Sequence, residues 1–72
     1  MDSVQLRLAR CLLGRADTDS TVRAAHEALA FEIGTAREVV SRHLRALEQE
    51  GLIRTQRGSI RLQRPGALRA IS

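Results

Sequence analysis

Residues 25–53, AHEALAFEIGTAREVVSRHLRALEQEGLI, carry the feature that most constrains the fold of this chain. Two segments with apolar residues at helical spacing are separated by Gly34, which can adopt the positive φ that ends a helix. Ala30 is small enough to let two helix backbones approach each other where they cross. The apolar residues expected to fill the angle between the helices are Leu29, Ile33 and Val40. The segment therefore predicts a helix-turn-helix, with an ordinary helical hairpin as the alternative.

The second helix of this pair is predicted to run from Ala36 to about Glu50 and to stop at Gly51, a residue type common just past a helix end. Thr35 and Glu38 have the spacing of a capping box, in which the threonine oxygen accepts from the Glu38 amide while the Glu38 carboxylate reaches back. We therefore expect Thr35 to cap this helix.

The two faces of the second helix differ in chemistry. The outward face carries Arg37, Glu38, Ser41, Arg42 and Arg45, and the opposite face carries Val40, Leu44 and Leu47. A free face with three arginines, one carboxylate and one hydroxyl has the donors and acceptors needed to read base edges in a DNA major groove. The alternative is a solvated face on which Glu38 and Arg42 form an i,i+4 ion pair.

Positive charge is concentrated in the second half of the chain. All 12 basic residues are arginine; residues 1–36 hold four of them against five acidic residues, and residues 37–72 hold eight against three. An excess of basic residues on and after the second helix is expected if that half meets a polyanion. A solvated basic surface is the alternative.

Length and composition limit the class of protein. A chain of 72 residues with one Phe and no Trp or Tyr predicts one domain, residues 1–72, with a modest aliphatic core. No apolar run approaches the roughly 20 residues that span a bilayer, and the first residues lack a signal-peptide pattern, so we expect a cytoplasmic location. Cys11 is the only cysteine, and its helical spacing with Val4 and Leu8 predicts a buried small hydrophobe.

The remaining segments predict a further helix and a hairpin. Helices are expected over residues 3–15 and 26–33, a short strand over 21–24, and two strands over 53–56 and 59–62. The last two bracket Arg57-Gly58, which predicts a hairpin, and Pro65 can begin a last helical turn in which Leu68 and Ile71 close over the core. The predicted fold class is α+β, mainly α: a winged helix-turn-helix with a three-helix core, the helix-turn-helix at about 25–45 and a small β-hairpin wing at about 53–62.

Residues that could support catalysis or metal binding are not grouped in the sequence. His26 and His43 lie 17 positions apart without cysteines or carboxylates at ligand spacing, so no zinc site is expected. Ser41 and His43 point in different directions on one helix, and no other nucleophile–base pair or phosphate-binding loop is found. We therefore expect neither enzymatic activity nor a cofactor. His43 is expected to be half-buried against the first helix, and Phe31 either packs partly or contacts a domain outside this chain.

The segments ALAFEIGTAREVVSRHLRALEQEGLI, RGSIRL and ALRAIS, with LARCLL in the first helix, resemble the C-terminal DNA-binding domain of Crp/Fnr transcription regulators. The most specific part is Arg-Glu-x-Val-Ser-Arg followed by Leu-x-x-Leu-Glu-x-x-Gly-Leu-Ile. The GntR-type winged helix shares the later half but normally lacks this combination of Glu with Ser-Arg.

The resemblance implies roles for the outward face. The positions that read bases are Arg37, Glu38, Ser41 and Arg42, and those expected near DNA phosphates are Thr35, Arg45, Arg57 and His26. By base-edge geometry Arg42 would donate to guanine O6 and N7, and Glu38 would accept from a cytosine amine. Arg37 is open between a base and a phosphate.

The chain also departs from the family pattern. Ala25 replaces the usual Thr or Ser that caps the helix over residues 26–33, Val39 and His43 replace the usual residue types, and Gln63-Arg64 replaces an acidic residue after the wing. The family's N-terminal β-barrel sensor and dimerisation helix are missing from these 72 residues, so we expect a weakly binding monomer.

The resemblance also implies partners. Full-length relatives would bind as homodimers to pseudo-palindromic double-stranded DNA with TGA-containing half-sites about one helical turn apart. RNA polymerase is a candidate partner. The alternative is a winged-helix module that contacts proteins and does not bind DNA.

Overall fold

The computed structural model describes residues 3–71. Outside this range lie Met1, Asp2 and Ser72. Ser72 is the last residue of the segment ALRAIS, which resembles the family. The helices are α1 (Val4–Arg15), α2 (His26–Ile33), α3 (Arg37–Gln49) and α4 (Pro65–Ile71), and the strands are β1 (Thr21–Val22), β2 (Ile53–Gln56) and β3 (Ser59–Leu62). This arrangement confirms the predicted winged helix-turn-helix.

The helices end where the sequence supplies residues that tolerate the required backbone. Gly34 has φ +73° after α2, and Gly51 has φ +76° after α3, where its amide donates to the Glu48 carbonyl at 2.9 Å. At the other end of the fold, the Ser3 hydroxyl oxygen accepts from the Leu6 amide at 3.1 Å and caps α1. These local interactions explain why sequence patterns locate the helix ends to within a residue.

The predicted capping box at the start of α3 is wrong. The residue at the N-cap is Ala36, with extended backbone and no side-chain hydrogen bond, and Thr35 lies one residue too early. The Thr35 amide donates to the Ala30 carbonyl at 2.9 Å, and the Gly34 amide donates to the Phe31 carbonyl at 3.3 Å. This pair of bonds is a Schellman motif, so Thr35 belongs to the turn that closes α2.

The wing is part of a three-stranded antiparallel sheet with the order β1-β3-β2. The β2–β3 hairpin has the predicted bounds, and Gly58 supplies φ +75° at its turn. β1 is shorter than predicted, ending at Val22, which pairs with Ile60 of β3. Because β1 lies between α1 and α2 in sequence, this pairing fixes the hairpin to the helical core.

The core is aliphatic, as the composition predicted. The largest fully buried side chains are Leu8, Leu12, Val22, Leu29, Val40, Leu44, Leu47, Ile53, Ile60 and Leu68. The expectation for Ile71 is wrong, since its side chain is exposed while Leu68 alone takes the buried position of α4. α4 packs on α1, and Ile71, as its last residue, lies past the buried turn.

Candidate nucleic-acid interface

The outward face of α3 forms one concave surface. A depression of about 450 Å³ is lined by Arg37, Glu38, Ser41, Arg42 and Arg45. Four of these side chains are exposed and Ser41 is half-buried, while the opposite side of α3 is held in the core by Val40, Leu44 and Leu47. The structure therefore brings together the five residues that the helical spacing placed on one face.

Most of the charged groups on this face have no partner among residues 3–71. Across residues 3–71 no ion pair joins Glu38 to Arg42, and the side chains of Glu38, Arg42 and Arg45 make no hydrogen bond to another described residue. Arg37 faces Glu27 of α2, with 3.7 Å between Nη1 and Oε1, and the two side chains are 62% and 77% exposed. Because an exposed pair at this distance contributes little, Arg37 can leave Glu27 at small cost.

Ser41 has a hydrogen-bond partner that helical spacing does not predict. His26, the first residue of α2, approaches it with 2.9 Å between Nδ1 and Ser41 Oγ, and this contact is partly buried. The two residues are 15 positions apart, so only the crossing of α2 over α3 brings them together. The expectation that no nucleophile–base pair exists is therefore wrong, because Ser41 and His26 lie within hydrogen-bond distance.

This pair lacks the other parts of a hydrolytic site. Catalytic serine–histidine pairs need a group that orients the second ring nitrogen and donors for an oxyanion. In the described part of the chain the His26 ring forms no hydrogen bond to a carboxylate. The pair is better described as a link between the start of α2 and the middle of α3.

The concave surface continues from α3 to the wing. A second depression of about 300 Å³ is lined by His26, Arg37, Ser41, Leu44, Arg45, Glu48 and Thr55. A third of about 230 Å³ is lined by Ala24, Ala25, His26, Glu27, Arg37, Gln56, Gly58 and Ser59. His26 and Arg37 border both, so the start of α2 lies between α3 and the turn of the wing.

The four predicted phosphate-contact residues do not all lie on this surface. His26 and Arg45 line it, and Arg57 is exposed in the wing turn beside Gly58. Thr35 is half-buried in the turn between α2 and α3 and lines none of these three depressions.

Glu48 holds the wing against α3. Its Oε2 accepts from the Thr55 amide at 3.2 Å, and its Oε1 accepts from the Thr55 hydroxyl at 2.9 Å. These bonds join the last turn of α3 to β2, and so they fix the position of the hairpin relative to the face of α3. Sequence spacing gave no signal for this contact, because it depends on where the hairpin folds back.

Cys11 lies in the opposite part of the fold, where α1 meets α2. It is buried as predicted, and its thiol donates to Glu32 Oε2 at 3.1 Å. Glu32 Oε1 also accepts from Arg15, at 2.8 Å from Nε and 2.7 Å from Nη2. Burial, with the neighbouring Glu32, raises the pKa of the Cys11 thiol to about 11, so this thiol is poorly reactive near neutral pH.

Two further expectations concern residues near these helices. His43 is half-buried, and its packing against α1 stays a prediction. Phe31 is 91% exposed on α2, which excludes the alternative in which it packs partly against the chain's own core.

Neither a metal site nor a membrane segment is found in residues 3–71. No group of three or more His, Cys, Asp or Glu side chains there could hold a metal ion. None of the helices in this range has both the length and the apolar character needed to cross a membrane.

The sequence matches the family model of the Crp-like helix-turn-helix domain over residues 6–71. No curated protein matches it. Among solved structures, a CRP-family transcriptional regulator from Thermus thermophilus is similar with a TM-score of 0.90 and 32% identity, over 99% of this chain and 40% of that one. The catabolite activator protein of the same organism gives 0.84 and 35%, over 93% and 32%.

A third similar structure is a transcriptional regulator of the crp/fnr family from Eubacterium rectale, with a TM-score of 0.90 and 30% identity over 97% of this chain and 33% of that one. The chain thus spans about a third to two fifths of the length of these relatives. The matched family is a helix-turn-helix domain and not a class of enzyme.

Proposed function

The chain belongs to the Crp-like helix-turn-helix domain family, and we propose that it is the output domain of a bacterial transcription regulator, binding double-stranded DNA with α3 in the major groove. The observation that carries this proposal is the outward face of α3, where Glu38, Arg42 and Arg45 have no partner within residues 3–71. A groove-reading helix needs such groups, because each base pair presents its own set of donors and acceptors there.

Arg42 and Glu38 are the proposed readers of one G·C pair. Arg42 donates bidentately to guanine O6 and N7, and Glu38 accepts from the N4 amine of the paired cytosine. Their position one turn apart on the same depression supports this assignment. Arg37 takes a base or a phosphate after leaving Glu27, and Ser41 completes the set of base contacts.

Phosphate contacts are assigned to residues around this reading face. Arg45 lies one turn beyond Arg42, and Arg57 lies in the exposed turn of the wing. His26, at the start of α2, lines the two depressions that Arg37 also lines. Thr35 is the fourth proposed phosphate contact, through its hydroxyl, although it does not cap α3. Contacts of this kind fix the register of the protein on the duplex without reading sequence.

The solved relatives are longer than this chain, and the arrangement of a whole regulator is part of the proposal. We propose that such a protein binds as a homodimer to a pseudo-palindrome with TGA-containing half-sites about one helical turn apart. RNA polymerase is the proposed further partner at the promoter.

A salt titration of DNA binding tests the proposal. Fluorescence anisotropy of the purified chain with a labelled duplex containing TGA would be measured from about 50 to 200 mM salt. Contacts from Arg45 and Arg57 alone predict a slope of log affinity against log salt of about −1.8. A control duplex of the same length without TGA should bind more weakly with a similar slope. Absence of binding at the lowest salt concentration would favour the alternative, a winged helix that contacts proteins.

A further inference from the structure

The contact between His26 and Ser41 has a consequence for which base the chain prefers. We propose that His26 determines whether the Ser41 hydroxyl accepts or donates toward the DNA, so that base preference at the position read by Ser41 changes with pH. This inference rests on the proposed function, because it assumes that Ser41 faces a base edge. His26 is a positioning residue in this scheme, acting through Ser41.

The polarity of the Ser41 hydroxyl follows from the state of the imidazole. A serine hydroxyl has one proton and two lone pairs, whereas Nδ1 of histidine is either a bare acceptor or an N–H donor. With Nδ1 bare, the 2.9 Å contact uses the Ser41 proton, and the hydroxyl turns only lone pairs toward the groove. With His26 protonated, Nδ1–H donates to Ser41 Oγ, and the hydroxyl proton is released to point outward.

We take Nδ1 of the neutral ring to be the bare, accepting form. Among the described residues the Ser41 hydroxyl has no hydrogen-bond partner besides His26, so Nδ1 is the acceptor available within the chain for its proton. Ser41 also lines both the depression over α3 and the one that contains His26. A change at the ring is therefore transmitted to the reading face through one hydrogen bond.

The charged residues that line the depressions around His26 come from α2 and α3. Arg37, Arg45 and Glu48 of α3 line one depression with His26, and the other is lined by Arg37 and by Glu27 of α2. The Glu48 carboxylate accepts hydrogen bonds from Thr55 of β2, and the Glu27 carboxylate forms an ion pair with Arg37.

The two states of Ser41 suit different bases. An accepting hydroxyl pairs with the amine of cytosine or adenine, whereas a donating hydroxyl pairs with guanine O6 or N7, thymine O4 or adenine N7. Histidine is the side chain that changes charge between about pH 5 and 8. Between about pH 8 and pH 5.5 the preference at the Ser41 position should therefore move from C toward G or T.

The test is selection from a half-site library at about pH 8 and pH 5.5, followed by measurement of affinity for the four bases at each position. The Ser41 position is defined as the one whose preference is relaxed in Ser41→Ala. We expect the ratio of the affinity for cytosine to that for guanine or thymine at that position to fall about three- to tenfold at the lower pH, the range for one hydrogen bond. In His26→Gln, whose side chain does not titrate, the ratio should be the same at both pH values.

A matched control is His43→Gln, which changes the other histidine, also on α3, and should keep the shift of the wild type. Circular dichroism of each variant would establish that it is folded. The inference is refuted if wild-type preference does not change with pH, if His26→Gln keeps the change, or if Ser41→Ala relaxes no position. Absence of any sequence preference in the wild type at either pH would instead refute the proposed function.

Discussion

Replacing Arg42 with alanine separates base reading from general attraction to DNA. The Arg42 side chain is exposed and has no partner in the described residues, so its removal should leave the fold and its stability unchanged. The loss then comes only from the DNA contact. A bidentate arginine–guanine pair provides about 1–3 kcal/mol of discrimination, which raises the Kd for a TGA-containing duplex about 5- to 150-fold.

The assay is anisotropy at fixed salt with two duplexes of equal length, one with TGA and one without. Arg42→Ala should lose affinity for the first duplex and bind the second almost as the wild type does. Arg10→Ala is the matched control, since Arg10 is an exposed arginine on α1 that lines none of the depressions around α3. An equal loss on both duplexes would show that Arg42 contacts phosphate, and the assignment to guanine would be wrong.

Three further predictions concern the wing, the turn and the α1–α2 contact. Arg57→Ala should weaken binding to all sequences alike and reduce the salt slope by about one unit; an unchanged slope would place Arg57 on the solvated surface. Gly34→Ala should lower the free energy of unfolding in urea by about 1–2 kcal/mol, because alanine is strained at φ +73° even though its Cβ would meet no other atom. The control Gly14→Ala, inside α1, should raise that free energy by about 0.5 kcal/mol. Hydrogen bonds from Cys11, the larger effect, and from Arg15 lower the pKa of Glu32 in the folded protein. The Glu32 carboxylate therefore stabilises the fold above its unfolded-state pKa, and this contribution is lost as pH falls through its folded-state pKa. Glu32→Gln should therefore be less stable than the wild type at neutral pH, with the difference shrinking in acid; a difference that does not vary with pH would contradict this.

The parts of the fold that depend on local sequence could be predicted. α2 and the two strands of the hairpin have the expected bounds, because apolar periodicity and the positive-φ glycines Gly34 and Gly58 act within a few residues. The five residues on the outward face of α3 are also a local result, since they follow from the roughly 3.6 residues per turn of a helix.

The parts that depend on packing between elements could not be predicted. Thr35 has the spacing of a cap, but the Schellman motif of α2 takes its amide and moves the N-cap to Ala36. The contact between His26 and Ser41 requires the crossing angle of two helices, and periodicity does not contain that angle.

Selection of half-sites from a random library tests directly whether α3 reads bases. Two copies of the chain joined by a flexible linker would be incubated with a randomised duplex library, and bound sequences would be recovered and compared. We expect the selected sites to contain TGA, with its G·C pair required by Arg42 and Glu38, and we expect that requirement to be lost in Arg42→Ala. Selected sites without TGA, or recovery no different from the unselected library, would show that the polar face of α3 is a surface for contacts other than base reading.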